Sequence, residues 1–219
     1  MGLVLLAAGS LVAMIWDLAH GTQALWGVRI IWVLVVALFG PLGFMAYLYS
    51  YRQLQRSPEL KAAAANWRSA LWETVFGVVG YAIGITLAFS SFYLILPFNE
   101  SSLWSVAARL YGLPLIIGLF FFRVPLIDFA VENRYWTAVR HRFLTEVISL
   151  HFILVGMLPV SSILIILCEK HLGMRGPGSV LFWGVISLSA IAGALTVYPF
   201  NAYMARRGIY SSPVQSFAG

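Results

Sequence analysis

Six long runs of apolar residues, most of them ended by aromatic residues or arginines, divide the chain. The runs cover residues 2–18, 28–51, 71–96, 103–131, 143–168 and 178–205. A helix needs about 20 mainly apolar residues to cross a hydrocarbon core of about 30 Å. The pattern therefore predicts an all-α integral membrane bundle of about six transmembrane helices. With no soluble segment between the runs, residues 1–219 are expected to form one polytopic domain.

Glycines and prolines refine the predicted helices. Gly40-Pro41 lies inside the second run, where a proline removes a backbone donor and predicts a kink. In the third run, Gly80 and Gly84 form a GxxxG pair, which lets another helix backbone approach closely in lipid. We therefore expect a tight helix contact at this pair.

The fourth run is interrupted by charges and prolines, so that only residues 110–122 are free of charge. That stretch is too short to cross the membrane alone. Either the flanking arginines extend toward opposite interfaces, or the segment is buried in protein or re-entrant.

The composition excludes a soluble globular protein. Hydrophobic residues make up 61% of the chain and charged residues only 10%, whereas ordinary domains carry about 25% charged residues. The net charge of +6 comes mainly from arginines in short loops, so it indicates orientation in a membrane rather than nucleic-acid binding. Ten of the fourteen Lys and Arg residues fall on one side, which predicts that both termini are cytoplasmic.

The last apolar run ends in a proline, an amide and two arginines. Pro199 frees the carbonyl of Leu195 by removing its helical donor. Asn201 is then either a gate or ligand contact, or it satisfies the interrupted backbone, and the second interpretation is favoured. Arg206 and Arg207 are expected to anchor the C-terminus at the cytoplasmic surface.

Three motifs, within residues 39–42, 149–157 and 198–209, resemble an uncharacterised bacterial family of multi-pass membrane proteins, a domain of unknown function. Its closing motif has the form Tyr-Pro-x-Asn followed by Arg-Arg-Gly-Ile. The resemblance implies a multi-pass protein of the bacterial inner membrane and no particular activity. The family often carries His and Cys in the segment that here spans 77–84, and these metal ligands are absent from this sequence.

Glu146 and His151 are ionisable residues inside the fifth run, where a charged group costs roughly 2.5–3.5 kcal/mol at a helix centre. Their spacing places them about 140° apart around the helix, so they do not form a ready-made dyad. For His151, a hydrogen bond to another helix is favoured over a proton relay or a tetrapyrrole ligand. Glu146 can pair with Arg142, its neighbour one turn earlier.

Two further groups carry candidate chemistry. Arg123, Asp128 and Glu132 form either an ion or proton entry site or, as favoured here, part of an interfacial salt-bridge cluster, since Asp128 and Glu132 are like charges one helical turn apart. Cys168, His171 and Met174 are spaced by three residues and form a soft-ligand set that could suit Cu(I). Cys168 is the only cysteine, so an incidental interfacial cysteine is the favoured interpretation.

No hydrolase, metalloprotease, phosphate-loop or dinucleotide motif is present in the sequence, so we do not expect an enzyme. The function that the sequence favours is that of an accessory or structural subunit of a larger membrane assembly. It would pack against partner helices and bind membrane lipid or a hydrophobic cofactor. The alternative is a small transporter or channel built on the proline-broken helices four to six. A membrane redox or metal enzyme, based on His151 and Cys168, is a third hypothesis.

Overall fold

The computed structural model describes residues 2–21, 26–49, 66–95, 97, 100–120 and 135–208, and their regular structure is entirely helical. Seven helices follow in order: α1 (Gly2–Gly21), α2 (Trp26–Phe39), α3 (Pro41–Tyr47), α4 (Asn66–Leu94), α5 (Leu103–Phe120), α6 (Tyr135–Leu172) and α7 (Val180–Arg206). Helix α5 is composite, because π-helical turns over Ala108–Gly112 and residues 117–120 alternate with α-helical ones. The predicted all-α class is confirmed.

Four of these helices contain a segment long and apolar enough to cross a membrane. The segments are Trp67–Leu94, Leu103–Phe120, Phe143–Leu172 and Val180–Arg206. Two shorter apolar helical segments, Leu6–His20 and Arg29–Phe39, precede them. This pattern indicates a membrane protein, while the predicted total of six spans and the cytoplasmic position of both termini stay predictions.

The second apolar run does not form the single kinked helix that the sequence predicts, and that prediction is wrong. Gly40 has φ +59° and ψ −132°, and a new helix, α3, begins at Pro41. Glycine adopts positive φ at little cost, so the chain can reverse where another residue would only bend. A Cβ at Gly43 would lie 2.6 Å from the Val35 carbonyl oxygen, which shows that α3 packs directly on α2.

The predicted loop over 132–142 is also wrong from Tyr135 onward, because α6 already begins there. Apolar runs mark the part of a helix that suits hydrocarbon, and a helix can continue into water beyond it. Pro159 lies within α6 and Pro199 within α7, and neither ends its helix.

The described residues fall into two compact units, Met1–Phe76 with Tyr198–Gly219, and Gly77–Val197. In the first unit, Trp32 is fully buried and meets Tyr47, Trp72 and Phe76 edge to face, with ring centroids 5.4–5.5 Å apart. Trp72 and Phe76 stack on each other at 4.1 Å. Offset and edge-to-face rings are favourable aromatic arrangements, so this cluster holds the α2–α3 hairpin against the start of α4.

In the second unit, helices cross closely at glycines. A Cβ at Gly156 of α6 would lie 2.6 Å from the Ala192 carbonyl oxygen of α7. The hydroxyl of Thr196 also donates to the Phe152 carbonyl oxygen at 2.7 Å, which joins the same two helices. Small residues permit such approaches where lipid offers no hydrophobic driving force.

Candidate functional site

A buried carboxyl group lies where α4, α5 and α6 converge in the second unit. Glu146 of α6 is only 1% exposed. The hydroxyl of Tyr81, on α4, donates to Glu146 Oε2 at 2.9 Å and lies 3.3 Å from the Glu146 carbonyl oxygen. The predicted pairing of Glu146 with Arg142 stays a prediction, because the Arg142 side chain lies outside the described set.

Gly118 of α5 positions the Tyr81 ring. A Cβ at Gly118 would come within 2.4 Å of Tyr81 Cε1, so the ring packs on the bare backbone of α5. Nearby on α6, the hydroxyl of Ser149 is buried and has no hydrogen-bond partner among the described residues. A carboxyl, a phenol and a hydroxyl together could bind or transfer a proton or hold a cation.

His151 lies on a different face of α6 from Glu146. Its imidazole is exposed, with Nδ1 2.6 Å from the Val147 carbonyl oxygen of the same helix. Nε2 lies 3.5 Å from the Tyr111 hydroxyl of α5, and the two rings meet edge to face at 5.3 Å. Glu146 and His151 therefore have separate environments, as their spacing indicates.

In the first unit, Asn201 is buried at 2% exposure and bonds to another helix. Its Nδ2 donates to the Thr74 hydroxyl of α4 at 2.9 Å. Ala70 and Ala205 are buried together on the same two helices. The amide thus joins α7 to α4, and the favoured local repair near Pro199 stays a prediction.

The end of α7 contains the predicted arginine pair. Arg206 and Arg207 are exposed, and the Arg207 guanidinium lies over the Tyr203 ring, 5.1 Å from its centroid. Gly208 ends the helix with φ +71° and donates its N–H to the Ala205 carbonyl oxygen. Their role as a cytoplasmic anchor stays a prediction.

The GxxxG pair lies in the second unit. Gly80 is buried, and a Cβ at Gly84 would lie 2.4 Å from Pro114 Cα of α5. The backbones of α4 and α5 therefore approach closely at Gly84, at a distance that only glycine accommodates.

Two predicted sites remain, the Arg123–Asp128 group and the soft-ligand set of Cys168, His171 and Met174. Arg123 and Asp128 lie outside the described residues. Met174 donates its backbone N–H to the Cys168 carbonyl oxygen, but its side chain is buried whereas that of His171 is exposed. Among the described residues, no group of three or more His, Cys, Asp and Glu side chains could hold a metal ion.

Sequence reasoning missed the tyrosine hydroxyls that donate to carboxylates of other helices. Besides Tyr81, the Tyr47 hydroxyl donates to Asp17 Oδ2 at 2.7 Å, and the Tyr93 hydroxyl donates to Glu169 Oε1. An acidic residue inside an apolar run, such as Asp17, is itself a usable signal. The tyrosines carry no such signal, since their partners depend on how helices pack.

Helical segments suited to crossing a membrane, close glycine crossings and the buried Glu146–Tyr81 pair indicate a polytopic helical membrane protein. The chain belongs to the family described as a domain of unknown function (DUF4396), whose profile matches residues 66–209. The matched region contains Tyr81, Glu146 and Asn201. Membership of an uncharacterised family is thus confirmed, and a bacterial origin stays a prediction. Comparison with curated proteins and with solved structures gave no match.

Proposed function

We propose that this protein is an accessory or structural subunit of a larger membrane assembly, and that α5 is the helix that contacts its partner. The observation that carries the proposal is the poor coverage of α5 by its own chain. In the apolar stretch of α5 that could cross a membrane, only 17% of the residues are buried inside the protein. The corresponding share is 39% for α6 and α7 and 72% for α4.

The outer side of α5 suits close helix packing. Ala108 is exposed, and a Cβ added at Gly112 would have no described heavy atom within 4 Å. Small residues four positions apart let a second helix backbone approach. We call Ala108 and Gly112 together the docking face of α5.

Arg109 does not obstruct this docking face. Its guanidinium lies over the Phe92 ring of α4, 4.9 Å from the centroid. The charge next to Ala108 is thereby directed toward the protein's own aromatic side chain. A partner helix could then meet an apolar, small-residue surface.

Replacing Gly112 by leucine tests the proposal. Leucine favours a helix more than glycine does, and the site has room within the chain, so the fold should tolerate the change. The matched control is Gly184→Leu on α7, where an added Cβ also has no described neighbour within 4 Å.

After mild detergent purification from native membranes, wild type and Gly184→Leu should retain the same partner, and Gly112→Leu should lose it. A wild-type protein that is monomeric and without a partner would contradict the subunit role. Equal loss in both variants would contradict the docking face.

A small transporter or channel is the second candidate, favoured by the buried Glu146–Tyr81 pair. Intramembrane ionisable residues commonly mark ion or proton pathways. Proton flux in liposomes should then fall in Glu146→Gln, and His151→Ala and Asp128→Asn test the other candidate groups. Glu169→Gln is the control, because that carboxylate also accepts from a tyrosine but lies exposed at the end of α6. Absent flux, or flux unchanged by these substitutions, would exclude this function for these residues.

A further inference from the structure

An exposed face of α6 presents His151 at its centre. Leu144 and Val155 lie within about 40° of His151 around the helix, so the three side chains form one stripe. We propose that His151 Nε2 is an axial ligand to the metal of a tetrapyrrole, such as haem, that lies flat on this stripe beside Tyr111. The docking face on α5 is a separate feature, and this site does not depend on it.

The hydrogen bond of Nδ1 decides which nitrogen is free to bind metal. Nδ1 lies 2.6 Å from the Val147 carbonyl oxygen, which can only accept, so Nδ1 carries the proton. The lone pair of the neutral imidazole is then on Nε2. Metal-binding histidines usually donate their other ring N–H to a carbonyl or carboxylate in this way.

The hydrogen bond from the Tyr111 hydroxyl to this lone pair is weak. The hydroxyl oxygen is 3.5 Å from Nε2, beyond the usual range for a hydrogen bond. A change in χ1 of Tyr111 would move the hydroxyl away and leave Nε2 open.

The depth of His151 favours a ligand from the membrane. His151 is eight residues into the segment Phe143–Leu172, or roughly 12 Å along the helix axis. Hydrocarbon offers no hydrogen-bond donors, and the Tyr111 hydroxyl, at 3.5 Å, is only a weak partner for Nε2 there. Coordination to a metal would satisfy Nε2.

The surrounding side chains favour a flat macrocycle over a partner helix. Leu144 is 69% exposed, Val155 68% and Phe152 41%. Helices pack closely in membranes through small residues, and these side chains are large. An aromatic macrocycle needs only an apolar surface and one metal ligand. The sequence alone favours a histidine hydrogen-bonded to another helix over a tetrapyrrole ligand. The tautomer and exposure of His151 favour the tetrapyrrole ligand instead.

Titration of haemin into the purified full-length protein in detergent tests the proposal. The Soret band should shift and saturate at one haemin per chain. His151→Ala should weaken binding by about ten-fold or more, and added imidazole should restore the shift. Tyr111→Phe should retain binding, because its hydroxyl only competes for Nε2.

Two histidine controls accompany the variant. His20→Ala removes an imidazole whose Nδ1 also lies near a helix carbonyl, at 3.0 Å from Trp16, but at the end of α1. His171→Ala removes an exposed histidine at the end of α6. Both should bind haemin as the wild type does.

Unsaturable partitioning of haemin, or saturable binding that His151→Ala leaves unchanged, would overturn the proposal. A second test needs no variant. Metal-free protoporphyrin should bind the wild-type protein roughly ten-fold more weakly or worse, because it offers Nε2 no metal. Equal binding of the two macrocycles would also overturn it.

Discussion

The amide of Asn201 and the hydroxyl of Thr74 join two helices of the first unit at positions far apart in the sequence. Both groups are buried, and the amide donates at 2.9 Å. Interhelical hydrogen bonds measured in a membrane protein average about 0.6 kcal/mol and reach about 1.7 kcal/mol. Asn201 is therefore an interhelical contact of moderate strength between α7 and α4.

A double-mutant cycle of Asn201→Ala and Thr74→Ala measures this contact. Since each single change leaves the other group without its observed partner, we expect a coupling in unfolding free energy of about 0.6–1.7 kcal/mol. The measurement is reversible unfolding in detergent micelles or bicelles. Strictly additive effects of the two substitutions would show that the bond contributes nothing.

Tyr81→Phe keeps the ring on Gly118 but removes the donor to Glu146 Oε2. A buried carboxyl that loses a donor should lower the free energy of unfolding by about 1–3 kcal/mol. Tyr203→Phe is the matched control, because Tyr203 is exposed and the change keeps its ring, so a change within about 0.5 kcal/mol is expected. If the two variants lose equal stability, the Tyr81 hydroxyl is not the relevant group.

The sequence could predict the buried carboxyl but not its environment. An acid inside an apolar run is unusual enough to single out Glu146 without a structure. Its donor, Tyr81, is 65 positions away, and that contact depends on the space left by Gly118. Local sequence carries no information about such a distant pairing.

Helix α6 crosses α7 at Gly156, where an added methyl group would meet backbone as well as side-chain atoms. Gly156→Ala should therefore lower the free energy of unfolding by about 1–3 kcal/mol through overpacking. At Gly184 of α7 an added Cβ has open space among the described atoms, and Gly184→Ala should be neutral or stabilising by up to about 1 kcal/mol. Thermal or chemical unfolding of the two variants makes the comparison. Equal effects would indicate that the crossing is looser than described.

Hydrophobic runs located the central parts of α1, α4, α6 and α7 well, since each must present apolar side chains over many turns. They failed at Gly40, because a Gly-Pro pair is compatible with a kink or with a reversal. The sign of φ at Gly40 decides between these outcomes, and tertiary packing of α3 on α2 sets it. The apolar runs also misplaced the start of α6, because the helix begins at Tyr135, among charged residues that precede the run.

Across the whole chain, the family match and the membrane segments coincide. The matched residues 66–209 contain all four of the segments that, among the described residues, are long and apolar enough to cross a membrane. Composition was enough to predict this class. Composition could not show that α5 is the least buried of these four helices. Burial depends on which helix faces meet after packing.

Site-specific photo-cross-linking from Ala108 in native membranes tests the subunit proposal most directly. A photoreactive residue at position 108 should give a discrete adduct with another membrane protein, and Gly112→Leu should abolish that adduct. The same residue at position 184, on the open side of α7, should give none. No adduct from position 108, or equal adducts from both positions, would contradict the account that α5 docks to a partner.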